Sequence, residues 1–228
     1  MPPWSTMMSE PVLVSQDLWK TYDGRTDVLR GASLDVHAGE AVLIWGANGS
    51  GKTTLLSILG GLLAPTRGSV VLTGREIVHL PEAELAAIRL HRLGFVFQTH
   101  NLIDDLTVAE NVALPLRLAK RPAEERVAAL LAAFDLVPLA RRRPKEISVG
   151  ESQRVAVARA LANGPKLILA DEPTAALDAK GTAAVLEAFE RARTSFGAAV
   201  VMASHDSEAR SMRATQFALE DGTLRPLA

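Results

Sequence analysis

A glycine-rich stretch near the start of the sequence constrains the fold more than any other feature. Residues 46–53 read Gly-Ala-Asn-Gly-Ser-Gly-Lys-Thr, which fits the pattern G-x-x-x-x-G-K-[ST]. The apolar run 41–45 precedes this stretch, and a helical pattern follows it over residues 54–63. A strand, a glycine turn and a helix in this order predict a loop that wraps a phosphate group at a helix N-terminus.

The residue types in this loop suit the chemistry of a phosphate site. Glycine permits the tight backbone curl that aims N–H groups at phosphate oxygens. Lys52 can reach the β- and γ-phosphates of a nucleotide, and the Thr53 hydroxyl suits Mg²⁺. A chance glycine-rich turn is the alternative, which the flanking strand and helix disfavour. The predicted nucleotide-binding residues of the loop are Gly46, Ala47, Asn48, Gly49, Ser50, Gly51, Lys52, Thr53 and Thr54.

An apolar strand that ends in acidic residues is the second element expected of such a site. Residues 166–170 form the apolar run, and Asp171 and Glu172 follow it directly. A buried strand would bring both acids to the carboxyl edge of the sheet, where α/β folds bind ligands. We predict that Asp171 holds the Mg²⁺ shell, commonly through water, and that Glu172 is the general base for an attacking water. A solvated acidic pair that opens a turn is the alternative.

Short apolar runs alternate with longer helical patterns along the chain, which predicts an α/β fold with a largely parallel core sheet. Turn residues at 23–24 and 38–39 suggest an N-terminal antiparallel β addition. Residues 107–162 read as helices without a strand, which predicts an inserted α-helical subdomain. The predicted strands are 12–18, 28–36, 41–45, 69–72, 93–97, 166–170, 199–203, 215–219 and 223–226, and the helices start near Gly51, Glu82, Thr107, Ala123, Glu151, Ala179 and Ser207.

Composition limits the classes of protein that fit. The chain has 228 residues, 48% of them hydrophobic, as expected for a globular protein. A net charge of −1 gives no basic footprint for nucleic acid, and the absence of cysteine excludes disulfides. No apolar run approaches the roughly 18 residues that span a bilayer, so we expect any membrane role to come through a partner. We predict a flexible tail over residues 1–10 and one domain over 11–228.

Four further segments make a family resemblance specific. Gln98 follows the apolar run 93–97, and residues 147–154 read Ile-Ser-Val-Gly-Glu-Ser-Gln-Arg. Residues 173–178 follow the acidic pair, and Ser-His-Asp at 204–206 follows another apolar run. In order and spacing these segments resemble the ATP-binding subunits of ABC (ATP-binding cassette) transporters, from about Val12 to the C-terminus. The resemblance implies a P-loop NTPase core, a helical subdomain over about 99–163, ATP hydrolysis, and ATP and Mg²⁺ as cofactors.

The resemblance also implies roles for individual residues. Tyr22 would stack on adenine. Gln98 would contact Mg²⁺ or water and sense the membrane partner, and His205 would contact the γ-phosphate. Asp178 would communicate across a dimer in which each subunit's signature touches ATP held by the other. The catalytic set is then Glu172, His205, Gln98 and Lys52, the metal set is Thr53, Gln98 and Asp171, and the signature is Ser148, Val149, Gly150 and Glu151.

The signature departs from the family pattern L-S-G-G-Q at two positions that matter. Val149 stands where glycine is usual, and Glu151 stands where glutamine is usual. Glycine allows close backbone approach to phosphate, whereas valine is β-branched and stiff. Glu151 adds negative charge near an anion. We therefore expect ATP binding to survive and closure of the dimer on ATP to be weaker or altered.

The segment from Gly94 to Leu116 resembles ATPases of lipoprotein release, macrolide or peptide export, and bacterial cell division. This implies a peripheral protein at the cytoplasmic face of the inner membrane, with permease subunits and a second ATPase subunit as partners. A homodimer is favoured, and a heterodimer with a complete cassette remains open. A regulatory switch without transport and an amino-acid importer are alternatives. A soluble cassette acting on DNA or ribosomes is disfavoured, because the chain has one phosphate loop and a short helical region.

Overall fold

The structure is a computed structural model that describes residues 10–227. Apart from Glu10, the predicted tail lies outside the described residues. The described chain contains ten strands and six α-helices. The strands are β1 Pro11–Thr21, β2 Asp27–His37, β3 Ala41–Trp45, β4 Arg67–Leu72, β5 Arg75–Glu76, β6 Leu93–Phe97, β7 Leu167–Asp171, β8 Ala199–Ser204, β9 Thr215–Glu220 and β10 Thr223–Pro226. The helices are α1 Lys52–Leu59, α2 Glu82–Arg92, α3 Val108–Leu118, α4 Glu124–Ala133, α5 Val149–Ala160 and α6 Ala179–Phe196.

A six-stranded sheet in the order β10-β9-β3-β8-β7-β6 forms the centre of the molecule. All neighbours in it run parallel except β9 and β10, which pair antiparallel. Strands β3, β7 and β8 are buried almost throughout, as expected where both faces of a parallel sheet are covered. The predicted α/β fold with a mostly parallel sheet is therefore confirmed.

Successive residues of the central strands point to opposite faces and join different cores. On one face, Leu43 packs into a cluster with the helices α3, α4, α5 and α6. On the other face, Val42 and Ile44 pack into a cluster with α1 and the N-terminal strands. The central sheet thus separates two hydrophobic cores, and its carboxyl edge is held rigidly between them.

The N-terminal antiparallel addition is a four-stranded sheet in the order β2-β1-β4-β5. Strand β1 lies between β2 and β4, and both pairings are antiparallel. The sequence predicts the first three of these strands. The two-residue strand β5 was missed because Arg75–Glu76 is too short and polar to give an alternating pattern.

The helical subdomain is confirmed as three α-helices, α3 to α5, linked by turns. Helix α3 begins with a capping box, in which Thr107 and Glu110 satisfy each other's backbone N–H groups. The fully buried Asn111 anchors the preceding loop, because its side chain bonds to the backbone of Ile103 and Leu106. None of the helices within residues 10–227 has the length and apolar character to cross a bilayer.

Two of the predicted helices differ from the structure, one in where it begins and the other in its type and length. Helix α5 begins at Val149, two residues before the predicted Glu151, because Ser148 caps it. The helix predicted from Ser207 is only a 3-10 turn, Ser207–Ser211, capped by Asp206. The turn ends at Met212, whose backbone is extended with φ of −63° and ψ of 135°, and Gln216 of β9 donates to the Arg210 carbonyl oxygen.

Candidate functional site

The phosphate loop connects β3 to α1 and requires glycine at both ends. A Cβ on Gly46 would lie 2.7 Å from both the Leu219 carbonyl oxygen and the Ser50 Oγ. Gly51 has φ of 102°, a left-handed value that side-chain-bearing residues rarely adopt, and α1 begins immediately after it. The loop therefore lies at the N-terminus of α1, where the helix dipole and free N–H groups favour an anion.

Lys52 is buried at the base of this loop. Its Nζ donates hydrogen bonds to the backbone oxygens of Gly46 at 2.7 Å and Ala47 at 3.0 Å. The same Nζ lies 3.0 Å from Glu172 Oε1. The other Glu172 oxygen, Oε2, lies 2.8 Å from His205 Nδ1. Lysine, glutamate and histidine therefore form one continuous polar chain beside the phosphate loop.

Sheet register explains why residues so distant in sequence meet here. Trp45 at the end of β3 pairs with Ser204 at the end of β8. On β7, Asp171 pairs with Ala203 of β8 on one side and with Phe97 of β6 on the other. The residues that follow these strands emerge together at the carboxyl edge. Glu172 turns sharply there with φ of 48°, and its backbone N–H bonds to the Ala203 oxygen at 2.9 Å.

Asp171, the last residue of β7, lies near Thr53, the second residue of α1. Burial is the main cause that raises the pKa of Asp171, and the nearby Thr53 hydroxyl opposes that rise. Asp171 Oδ1 is buried without a hydrogen-bond partner among the described residues. A hydroxyl and a carboxylate with a free oxygen are the hard donors that Mg²⁺ prefers, so the residues fit this ion. Within residues 10–227, no group of three or more His, Cys, Asp or Glu side chains could hold a metal ion.

Gln98 and Tyr22 directly follow two different strands, β6 and β1. Gln98 is exposed directly after β6, and its backbone oxygen accepts a bond from Gln153. Tyr22 lies after β1 with 64% of its surface exposed, and its hydroxyl is 3.2 Å from Thr54 Oγ1 at the start of α1. Lys20 Nζ lies over the Tyr22 ring, 5.3 Å from its centroid, and most of the side chain is exposed beside the start of α1.

The signature residues lie on a different part of the surface. They line a pocket of about 540 Å³ that also includes Asp178 and Lys180 and none of the residues of the phosphate loop. We call it the signature pocket. Ser148 and Glu151 form a capping box, with Ser148 Oγ donating to Glu151 Oε2 at 2.8 Å. Hydrogen bonds from the Ser148 backbone and hydroxyl lower the pKa of Glu151, so this carboxylate stays charged.

Two helices begin at the signature pocket. The first is α5, capped by Ser148, and the second is α6, where Asp178 accepts a bond from the Gly181 backbone N–H at 2.7 Å. Val149 is the first residue of α5, and 45% of its surface is exposed. The two converging helix N-termini give the pocket a positive backbone potential.

Gln153 was not predicted as a site residue, yet it joins the two regions. Its side chain is buried, and Nε2 donates to the backbone oxygens of Phe97, Gln98 and Pro173 at 3.0, 3.2 and 2.9 Å. The signature helix is therefore tied to the end of β6 and to the loop after the acidic pair. A glutamine within an amphipathic helix gives no sequence signal for such contacts.

Comparison with known proteins agrees with this geometry. The family model described as ABC transporter matches residues 29–175. A dimeric post-hydrolysis structure of the ATP-binding cassette MJ0796, bound to ADP and Pi, is 38% identical with a TM-score of 0.84, covering 94% of this chain and 97% of that one. A second dimeric structure of MJ0796, a bacterial ABC transporter cassette, is 38% identical with a TM-score of 0.82, covering 93% and 96%. CbiO1 from Clostridium perfringens, part of the ABC transporter complex cbiONQ, is 26% identical with a TM-score of 0.86, covering 94% and 86%.

The parallel sheet, the glycine loop at the start of α1 and the acidic end of β7 define a phosphate-loop nucleoside triphosphatase. The family match extends over more than half of the sequence. The chain belongs to the ABC transporter family, as an ATP-binding cassette. It is an ATPase, and its cassette binds ATP and ADP.

Proposed function

We propose that this cassette is the ATP-hydrolysing subunit of a membrane transporter, in which ATP-driven closure of two subunits drives a permease. The observation that carries the proposal is the division of the ATP chemistry between two surfaces. The Lys52–Glu172–His205 chain lies at the phosphate loop, whereas Ser148 and Gly150 line a pocket that shares no residue with that loop. Head-to-tail pairing of two chains would bring these surfaces together.

At the phosphate loop, we propose that Lys52 exchanges its bond to Glu172 for the β- and γ-phosphates of ATP. Mg²⁺ at Thr53 and Asp171 would neutralise charge on the phosphate oxygens. Glu172 then accepts a proton from the attacking water, while His205 orients the carboxylate and faces the γ-phosphate. Gln98 completes the site from the end of β6. Such catalysis consists of positioning and charge stabilisation, so it needs this fixed constellation more than covalent chemistry.

At the signature pocket, we propose that Ser148 and the backbone N–H groups at the start of α5 bind the γ-phosphate held by the second subunit. The dipoles of α5 and α6 support this role, since both helices begin at the pocket. Asp178, at the start of α6, would lie at the subunit boundary. Tyr22 would stack on adenine beside Thr54, where its ring is exposed.

An apolar groove supports the proposed contact with a permease. It measures about 630 Å³ and lies between α2, β6, α3 and α5. We call it the α2–α3 groove. Phe95 and Phe97 stack within it at a centroid distance of 5.8 Å. The rim carries Leu62 and Leu118, exposed to 49% and 64%, and exposed leucines beside an apolar cleft are typical of a protein-binding surface. A short helix of a permease would fit this groove.

The transport direction and cargo follow from resemblance alone. The segment from Gly94 to Leu116 is similar to cassettes of lipoprotein release and of macrolide or peptide export. We therefore propose that the permease exports or releases its cargo, and that this chain lies at the cytoplasmic face of the inner membrane. A regulatory switch of the cell-division type and an amino-acid importer are the competing functions. Co-purification with a permease followed by ATP-driven transport in vesicles separates a transporter from a switch.

The first experiment is ATP-dependent dimerisation of Glu172→Gln, followed by size-exclusion chromatography with light scattering. We expect a dimer with ATP and a monomer without it, because ATP would join the two surfaces. A variant that binds ATP and stays monomeric would contradict homodimeric closure and favour a different partner subunit. Ser148→Ala in the same background is the matched control, since it should keep ATP binding and lose the dimer.

A further inference from the structure

The capping box at the start of α5 directs both donors of Ser148 to a single carboxylate oxygen. The Ser148 backbone N–H donates to Glu151 Oε2 at 2.7 Å, and the Ser148 hydroxyl donates to the same oxygen at 2.8 Å. In return, Ser148 Oγ accepts a hydrogen bond from the Glu151 backbone N–H at 3.3 Å. A serine hydroxyl has one hydrogen and two lone pairs. The hydroxyl hydrogen of Ser148 is therefore already used within the chain.

The phosphate proposed to bind in the signature pocket needs the same hydrogen. An ionised phosphate oxygen and an ionised carboxylate are both acceptors only, so the γ-phosphate and Glu151 compete for the Ser148 hydroxyl. They also repel each other, because a phosphate oxygen in hydrogen-bond contact with Ser148 Oγ would lie within about 6 Å of Glu151 Oε2. A charged Glu151 thus opposes, in two ways, the contact on which the proposed closure depends.

Within residues 10–227, no cation forms an ion pair with the Glu151 carboxylate. Hydrogen bonds from Ser148 are the main cause that lowers the pKa of Glu151, and the positive charges of Arg154 on α5 and Arg142 in the preceding turn add to them. The start of α6 contributes one charge of each sign to the pocket, from Asp178 and Lys180. Because these two charges offset each other, a proton is the simplest group that can neutralise Glu151 when a phosphate arrives.

We infer that Glu151 is a positioning residue whose protonation permits the signature to close on the ATP held by the second subunit. The inference rests on the proposed function and adds a regulatory condition to it. A protonated Glu151 has no charge, and its O–H can donate to the second lone pair of Ser148 Oγ. The Ser148 hydrogen is then free for the phosphate oxygen. Each signature takes up one proton from solvent when the dimer closes and returns it when the dimer opens.

The direction of the pH dependence follows from the two states of the dimer. In the open chain, Ser148 and the two arginines hold the pKa of Glu151 below its ordinary value, whereas the γ-phosphate in the closed dimer raises this pKa. Between the two values the closed dimer binds more protons than the open chains, so closure strengthens as pH falls, by at most about ten-fold per pH unit for each signature. Glu151→Gln supplies an amide N–H donor to Ser148 Oγ without proton uptake, so it should remove this dependence.

The test measures the dissociation constant of the dimer by sedimentation equilibrium with saturating ATP and Mg²⁺, from about pH 8 to about pH 6. Every chain carries Glu172→Gln, so that ATP is held without turnover. We expect Glu151→Gln to tighten the dimer at least about five-fold at the high end of this range, and this advantage to shrink as pH falls. His205 and ATP also titrate here, but both are present with either residue at position 151, so the ratio of the two affinities isolates Glu151.

Glu110→Gln is the matched control. Glu110 forms the same kind of capping box at the start of α3, where the Thr107 backbone N–H and hydroxyl both donate to Glu110 Oε2 at 2.9 Å, but it does not line the signature pocket. This variant should leave the dimer affinity unchanged at every pH. A ratio between the Glu151→Gln and parent affinities that stays constant with pH, or a Glu151→Gln dimer that is weaker than the parent at high pH, would overturn the inference alone. Absence of an ATP-dependent dimer in every chain at every pH would overturn it together with the proposed closure.

Discussion

Lys52 Nζ lies 3.0 Å from Glu172 Oε1, so the cation predicted to bind phosphate and the proposed general base neutralise each other's charge. Both side chains are largely buried, with 5% and 12% of their surfaces exposed. Removing either partner leaves a buried charge, which is strongly unfavourable. ATP offers Lys52 a replacement anion, and its arrival would release Glu172 to face water. We therefore propose that the ion pair links occupancy of the phosphate site to availability of the base.

Replacing Glu172 separates binding from turnover. Glu172→Gln removes the anion that competes with phosphate for Lys52, so ATP affinity should be retained or increased. Turnover should fall on the order of 10² to 10⁴-fold, the range for loss of a general base. Affinity is measured with a fluorescent ATP analogue, and turnover by phosphate release. Lys52→Ala is the comparison variant and should lose binding. Near-normal hydrolysis by Glu172→Gln would remove this residue as the base.

His205 should affect turnover and leave nucleotide affinity nearly unchanged. Its Nδ1 lies 2.8 Å from Glu172 Oε2, and its backbone N–H also points to that oxygen at 3.3 Å. His205→Ala keeps the backbone contact and removes the ring that orients the carboxylate. We expect a fall in turnover on the order of 10²-fold, as for loss of one positioned donor. A comparable loss of ATP affinity would indicate that the ring serves binding instead.

The sequence was sufficient for those parts of the fold and site that depend on local pattern. The glycine loop between β3 and α1, the strand that ends at Asp171 and the antiparallel pairing of β1 with β2 were predicted correctly, whereas the roles of their site residues stay predictions. Contacts made by buried polar side chains could not be predicted, because no periodicity marks them. Gln153 bonding three carbonyl groups is one case, and Arg159 holding the loop after Gln98 is another.

The charged form of Asp171 suits metal binding, but burial of this charge reduces the stability of the fold. Burial raises its pKa, so ionisation is less favourable in the folded than in the unfolded chain. Stability is therefore reduced as pH rises from the unfolded pKa toward the raised folded pKa, and the reduction is complete once the pH exceeds the folded pKa. Asp171→Asn should therefore raise the melting temperature without nucleotide, on the order of 2 °C. It should also abolish the Mg²⁺ dependence of ATP binding. An unchanged or lower melting temperature would contradict the burial cost.

The hydrogen bonds of the buried Gln153 side chain should contribute to the stability of the fold. Gln153→Ala leaves the oxygens of Gln98 and Pro173 without their donor, at roughly 1–3 kcal/mol for buried groups left unpaired, whereas the Phe97 oxygen keeps its bond from the His100 N–H. Melting followed by circular dichroism should show a loss of about 2–4 °C for each kcal/mol. Gln216→Ala is the control, because Gln216 makes a single, exposed bond to the Arg210 oxygen. Equal losses for both variants would argue against a special role for Gln153.

Val149 offers a test of the altered signature. It is the first residue of α5, it is exposed, and it lines the signature pocket, where the second subunit's γ-phosphate is proposed to bind. Its branched side chain limits backbone approach to that anion. Val149→Gly should therefore raise ATP turnover by about threefold, equivalent to lowering the barrier by roughly 0.7 kcal/mol. The affinity of the monomer for ATP should not change, because the phosphate loop is a separate surface.

Val149→Ala distinguishes the bulk of the valine side chain from the backbone freedom of glycine. It removes the branch without adding that freedom, so an equal gain in turnover assigns the effect to steric bulk. If turnover is unchanged or lower in both variants, while the Glu172→Gln background still dimerises with ATP, valine is no obstacle to closure.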